Sequence, residues 1–149
     1  MINRILMNFL LLLPAFAAAA PDTGTLLERY QQALHQQDSA ALERLISPDA
    51  RIRLLLEQPG KAPLALTLTR QEYIQQLRAL WRFSESENYE ISDIRRASTD
   101  SATTMTLTLS EQYELFGEAL NRRSDMTLWV NGDNETPEIM RIEALVQEW

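Results

Sequence analysis

An α+β fold, with helices on one face of a curved and mostly antiparallel sheet, is predicted by three observations. The first is a period-two apolar pattern over residues 102–115 and again over 120–130, the mark of a long hairpin with one wet face and one buried face. The second is an apolar stripe at helical spacing that occurs twice, at Leu26, Leu27, Tyr30, Ala33 and Leu34 and at Tyr73, Ile74, Leu77, Leu80 and Trp81. The third is the order of elements, α-α-β-β-α-β-β-β-β, which segregates helices from strands and makes two layers around one core.

Residues 1–19 read as a signal peptide. Arg4 supplies a positive start, residues 5–16 an apolar run too short to cross a membrane, and Ala17 to Ala20 a small-residue cleavage zone. Cleavage after Ala19 avoids placing Pro21 directly behind the scissile bond. Residues 20–149 are then a single domain, expected in the periplasm or secreted, with no stable membrane anchor after cleavage. The formal charge of -7 gives no basic patch for nucleic acid or anionic lipid. With no cysteine there is no disulfide and no thioether lipid attachment.

Asp22 or Thr23 caps the first helix. Gln37-Asp38 breaks it, and a second helix turns Leu42, Leu45 and Ile46 inward and stops at Ser47, before Pro48. Ile52, Leu54 and Leu56 alternate in a first strand, Gln58-Pro59-Gly60-Lys61 turns, and Leu64, Leu66 and Leu68 alternate in a second. Thr69-Arg70-Gln71-Glu72 has the spacing of a capping box and opens the third helix. Residues 84–88 are polar, and Tyr89, Ile91 and Asp93 mark a third strand ending near Arg96. After the central hairpin, Asn131-Gly132-Asp133-Asn134 turns the chain into a last strand over residues 138–149.

Matching apolar residues across the hairpin pairs Leu115 with Leu120, Leu109 with Met126, Leu107 with Leu128 and Met105 with Val130. In this register Phe116-Gly117-Glu118-Ala119 is a four-residue turn, Tyr113 faces Arg122 and Glu111 faces Ser124.

The element order, together with the run from Tyr30 to Ala50 (YQQALHQQDSAALERLISPDA), resembles the nuclear transport factor 2-like superfamily. The shared pattern is a helix, a short Gln-Asp break, a helix with Ala-Leu, and Pro-Asp-Ala leading into the first strand. The resemblance implies a cone, the SnoaL or ketosteroid-isomerase-like form, in which a bent sheet wraps three helices around a pocket, often with dimerisation through the outer sheet face. Its members include isomerases, polyketide cyclases and many binding domains, so shared fold says little about activity.

An isomerase of this kind would carry a carboxylate base a few residues after Pro-Asp-Ala. Here Arg51, Ile52, Arg53 and Leu54 stand there instead, and Asp49 suits loop capping. His35, the one histidine, lies on the polar side of its helix and is expected to face solvent. No second His and no Cys are available for a transition metal, and no glycine-rich phosphate loop is present. No catalytic residue, metal or cofactor is therefore assigned.

The inner face of the central hairpin carries the remaining candidates. Glu111, Tyr113, Arg122 and Ser124 interrupt its apolar row, and Tyr30, Tyr73 and Trp81 point inward from the helices to wall a pocket. One reading is non-catalytic binding of a small apolar or acidic ligand, with Arg122 gripping a carboxylate, or of a protein partner. The other is a cyclase or isomerase using Glu111 and Tyr113 as acid–base groups. A desolvated, unpaired Glu111 would favour the enzyme and a Glu111–Arg122 ion pair the binder. On the outer face, Thr104, Thr106, Thr108, Ser110, Thr127 and Trp129 form a short-side-chain, largely uncharged surface that suits a homodimer.

Overall fold

A computed structural model describes residues 23–99, 102–131 and 137–149. The expected signal peptide at 1–19, the Asp22 cap and the Gly132-Asp133-Asn134 turn lie outside the described residues. The elements are α1 (Thr23–His35), α2 (Ser39–Leu45), β1 (Ile46–Glu57), β2 (Leu64–Leu68), α3 (Arg70–Phe83), β3 (Ser84–Ser98), β4 (Ala102–Leu115), β5 (Glu118–Asn131) and β6 (Ile139–Glu148). Their order matches the expected one.

The six strands form one sheet in the order β2-β1-β6-β5-β4-β3, antiparallel except where β1 and β6 run parallel. That parallel pair lets the chain return from the hairpin to the first strand and draw the sheet around the helices. β3 bends where its register against β4 shifts, between Glu85 and Asn88 and between Ser92 and Arg95, and Asp93 takes a φ of 53° at the second shift.

The α1 stripe is buried throughout, and the α3 stripe is buried except for the half-buried Leu80. Leu26, Tyr30 and Leu34 on α1 and Ile74, Leu77 and Trp81 on α3 join Met105, Leu107, Leu109, Met126 and Leu128 of the sheet in one core. Each such side chain contributes roughly 1.5–3 kcal/mol when fully buried. The capping box of α3 is present: the Glu72 amide donates to Thr69 Oγ1 at 3.2 Å and the Thr69 amide to Glu72 Oε2 at 2.8 Å. Asp38 caps α2 by accepting from the Ala41 amide at 3.0 Å. Arg70 Nη1 donates to the carbonyls of Glu43 and Ile46 at 3.1 and 3.2 Å, which fixes α3 against the end of α2.

Four expectations need correction. α2 ends at Leu45, and Ile46 already has extended backbone (φ -110°, ψ 128°) as the first residue of β1, so Ser47 and Pro48 belong to the strand. Residues 84–88 lie within β3, where Ser84 pairs with Leu115 and Asn88 with Gln112. The outer face is not an uncharged surface: Arg123, Asp125, Arg141, Glu143 and Arg53 from β5, β6 and β1 flank the threonines in ion pairs, and Arg141 stacks on Trp129 at 4.4 Å.

The hairpin register also differs from the expected one. Met105 pairs with Leu128, Leu107 with Met126, Leu109 with Ser124, Glu111 with Arg122, Tyr113 with Leu120 and Leu115 with Glu118. The strands are displaced by two residues from the expected pairing, so each side chain keeps its face while its partner changes. The turn shrinks to Phe116-Gly117, with φ of 53° and 80°, the two positive values of a tight type I′ hairpin. Phe116 is 81 % exposed and meets Phe83 at 6.0 Å between ring centres. A bulky side chain in the left-handed region costs about 1–2 kcal/mol, and an exposed ring recovers little of it. Phe116→Asn is therefore expected to stabilise the fold by about 1 kcal/mol, read as a rise in the urea midpoint. A lowered midpoint would show that the Phe83 contact outweighs the backbone strain.

Candidate functional site

The odd-numbered residues of β4 point inward, so Glu111 continues the row of Met105, Leu107 and Leu109 and is 5 % exposed. It lines a cavity of about 160 Å³ bounded by α3, β1, β2 and the centre of the sheet. The walls are mainly apolar, with Leu34, Leu54, Leu56, Leu66, Leu77, Leu80, Leu109, Met126, Ala144 and Val146. The polar lining is Tyr73, Gln76, Glu111, Arg122 and Ser124.

Among the described residues the Glu111 carboxylate receives no hydrogen bond, and its nearest cation is Arg122, whose Nη1 lies 4.0 Å from Oε2. Burial pushes the carboxyl up to about 7, against the opposing pull of Arg122 and with help from the negative charges of Glu87 and Glu148. A group poised there is half ionised at neutral pH, which suits it to accept and return a proton.

Arg122 is engaged elsewhere. Its Nε and Nη2 donate to Glu148 Oε2 at 3.3 and 2.9 Å, the Tyr113 hydroxyl donates to the same oxygen at 3.1 Å, and Gln58 Nε2 donates to Oε1 at 3.2 Å. Burial works against both charges of this pair. Contact with Arg122 nevertheless holds the Glu148 carboxyl below the usual carboxylate range, and the nearby carboxylates hold the guanidinium above its ordinary value. The expected grip of Arg122 on a ligand carboxylate is thus pre-empted by Glu148.

Of the seven candidates, Tyr73, Glu111, Arg122 and Ser124 come together at the cavity. Tyr30, Trp81 and Tyr113 do not line it. Tyr30 is fully buried behind Tyr73, their hydroxyls 2.8 Å apart, and burial raises both, Tyr73 to about 12. Trp81 Nε1 donates to the Tyr89 hydroxyl at 2.9 Å, and that hydroxyl donates to Glu87 at 2.6 Å, so Trp81 anchors β3. Tyr113 braces Glu148, and burial raises its hydroxyl to about 12. His35 is exposed, touching the edge of the Tyr89 ring at 5.7 Å, and Asp49 is also exposed. Sequence reasoning missed Gln76, Gln58 and Glu148. Glu148 had a signal, since it shares the even-numbered parity of the inward-facing Ile142, Ala144 and Val146.

No protein-family model and no curated protein sequence matches the chain. Solved structures do. An NTF2-like protein of unknown function in nutrient uptake from Rhodospirillum rubrum superimposes with a TM-score of 0.66 at 17 % identity, covering 84 % of this chain and 98 % of that one. The chain has the nuclear transport factor 2-like fold. A ketosteroid isomerase-like protein from Erwinia carotovora atroseptica matches with a TM-score of 0.56 at 12 % identity, over 83 % of this chain and 92 % of that one. A hexachlorocyclohexane dehydrochlorinase, LinA type 2, matches with a TM-score of 0.64 at 8 % identity, over 82 % and 80 %. Identities this low establish the fold alone, and proteins sharing it include enzymes as well as proteins of unknown function. In the NTF2-like cone of this chain the stretch after Pro-Asp-Ala presents exposed Arg51 and Arg53, and the carboxylate that reaches the cavity is Glu111 of β4.

Proposed function

We propose that this chain is an exported domain whose cone cavity binds a small, largely apolar molecule, with Glu111 as its polar anchor. Export rests on the pattern of residues 1–20. The binding reading is carried by one observation: a carboxyl group 5 % exposed, with no hydrogen bond among the described residues, lines a leucine-rich cavity. A buried polar group without a hydrogen bond is costly, and a cavity beside it leaves room for a ligand to supply one. The size agrees, because a cavity of about 160 Å³ is close to the ~150 Å³ that holds a benzene molecule. Toluene and indole titrated into the purified chain should bind, and Ala144→Leu, which adds bulk to the cavity wall, should weaken them at least about tenfold. Equal affinity in wild type and variant would place any binding elsewhere.

A second reading, proton-transfer catalysis with Glu111 as the base, is favoured by the carboxyl lying near 7. Of the two criteria set by the sequence, desolvation points this way, while the 4.0 Å ion pair with Arg122 points to the binder. Deuterium incorporation from heavy water into small carbonyl compounds, lost in Glu111→Gln, is the result this reading expects. No incorporation across aryl and cyclic ketones would count against it.

A further inference from the structure

Resting on the binding reading, we propose that the ligand is a small protonated amine with a compact hydrocarbon body, its ammonium group held by the Glu111 carboxylate. Two carboxylates, Glu111 and Glu148, share one guanidinium, and Arg122 directs its Nε and Nη2 to Glu148. Glu148 is further satisfied by Tyr113 and Gln58, so its pair with Arg122 is closed. An ionised Glu111 is then left with one uncompensated negative charge and a cation no nearer than 4.0 Å. The other titratable groups that act on it are Tyr30 from α1, Tyr73 from α3 and Glu87 and Tyr89 from β3, together with Tyr113 on its own strand, and none of these brings a positive charge.

A ligand carboxylate would add negative charge to this surplus, and a neutral alcohol or ketone would leave it in place. An ammonium cancels it. Such a group also needs acceptors for three N–H donors, and the cavity lining offers the Glu111 carboxylate, the Ser124 hydroxyl and the Gln76 side-chain carbonyl. The remaining lining is apolar and suits a ring or short branched hydrocarbon rather than a polyamine, whose second charge would meet leucine.

Benzylamine, benzyl alcohol and benzoate have the same body and differ in the head group, so calorimetric titration of the purified chain with each separates the cases. At pH about 8, benzylamine should bind at least about tenfold more tightly than benzyl alcohol, with benzoate weakest. Its affinity should fall by up to about tenfold per pH unit below about 7, because Glu111 must lose a proton to receive the cation. Glu111→Gln should bring benzylamine down to the affinity of benzyl alcohol. Equal binding of amine and alcohol, a preference for benzoate, or an amine preference that survives Glu111→Gln overturns the amine proposal and leaves the cavity reading standing. Failure of all three to bind, and of toluene with them, overturns both.

Discussion

Glu111→Gln is expected to raise the thermal stability of the protein above neutral pH and to leave it unchanged in acid. The folded carboxyl is raised to about 7 from its ordinary 4.5, chiefly by burial, so the folded state binds this proton more tightly than the unfolded chain does. Below about 4.5 both states are protonated and the group contributes no penalty. Between about 4.5 and 7 the unfolded chain ionises first, so stability falls as pH rises, and above about 7 the penalty is complete. At about 1.4 kcal/mol per pKa unit this amounts to roughly 3 kcal/mol, or a shift on the order of 10 °C in Tm. Glutamine keeps the shape without the charge, and Arg122 retains Glu148. Melting curves of wild type and variant at pH about 4.5 and about 8 check the sign: the curves should coincide in acid and separate in base, with the variant higher. A variant that melts lower at pH 8 would mean that the Arg122 contact outweighs burial.

Arg122→Met is expected to act in the opposite direction. The guanidinium lies between two carboxylates whose side chains are 6 % and 17 % exposed, and removing it leaves both without a cation. Breaking one partner out of a buried ion pair costs about 3–5 kcal/mol. The lower end, about 3 kcal/mol, fits a site whose arginine is still 22 % exposed. The loss should shrink as the pH falls and the carboxyls take up protons. Combining Arg122→Met with Glu148→Leu should recover most of it, because replacing both charges with apolar groups is often neutral. Urea midpoints of the single and double variants decide this. A double variant no better than the single one would show that packing of the arginine stem, rather than its charge, holds the site together.

Side-chain parity made the faces of the sheet legible. Apolar residues at odd positions of β4 and even positions of β5 put Leu107 and Leu128 inside and Thr106 and Thr127 outside, whatever the register. The register itself was hidden, because a shift of two residues preserves parity and trades one set of apolar partners for another. The discriminating signal was electrostatic. Placing Glu111 opposite Arg122 required a two-residue turn with Phe116 at positive φ, which ordinary turn preferences disfavour. The helix stripes and the Thr69 capping box were readable because both are local patterns. The Arg122–Glu148 pair was not, since it depends on how β6 aligns with β5, where Arg122 faces Glu148 across a long stretch of intervening sequence. The same dependence explains the cavity. Its polar residues come from α3, β4 and β5, and their convergence follows from the curvature of a sheet whose parallel β1–β6 pairing is a tertiary choice.

The ionisation of Glu111 in the folded protein underlies the cavity, the ligand chemistry and the stability effects alike. Carboxyl carbon shifts of a glutamate-labelled sample, followed from pH about 3 to about 9 beside the Glu111→Gln variant, measure it directly. One carboxyl should titrate near 7 in the wild type and be absent from the variant, while the signal of Glu148 stays ionised well into acid. A wild-type spectrum in which every carboxyl has titrated by about pH 5 would mean that Glu111 is solvated or closely paired, and the assignment of a buried carboxyl without a hydrogen bond at the head of the cavity would be wrong.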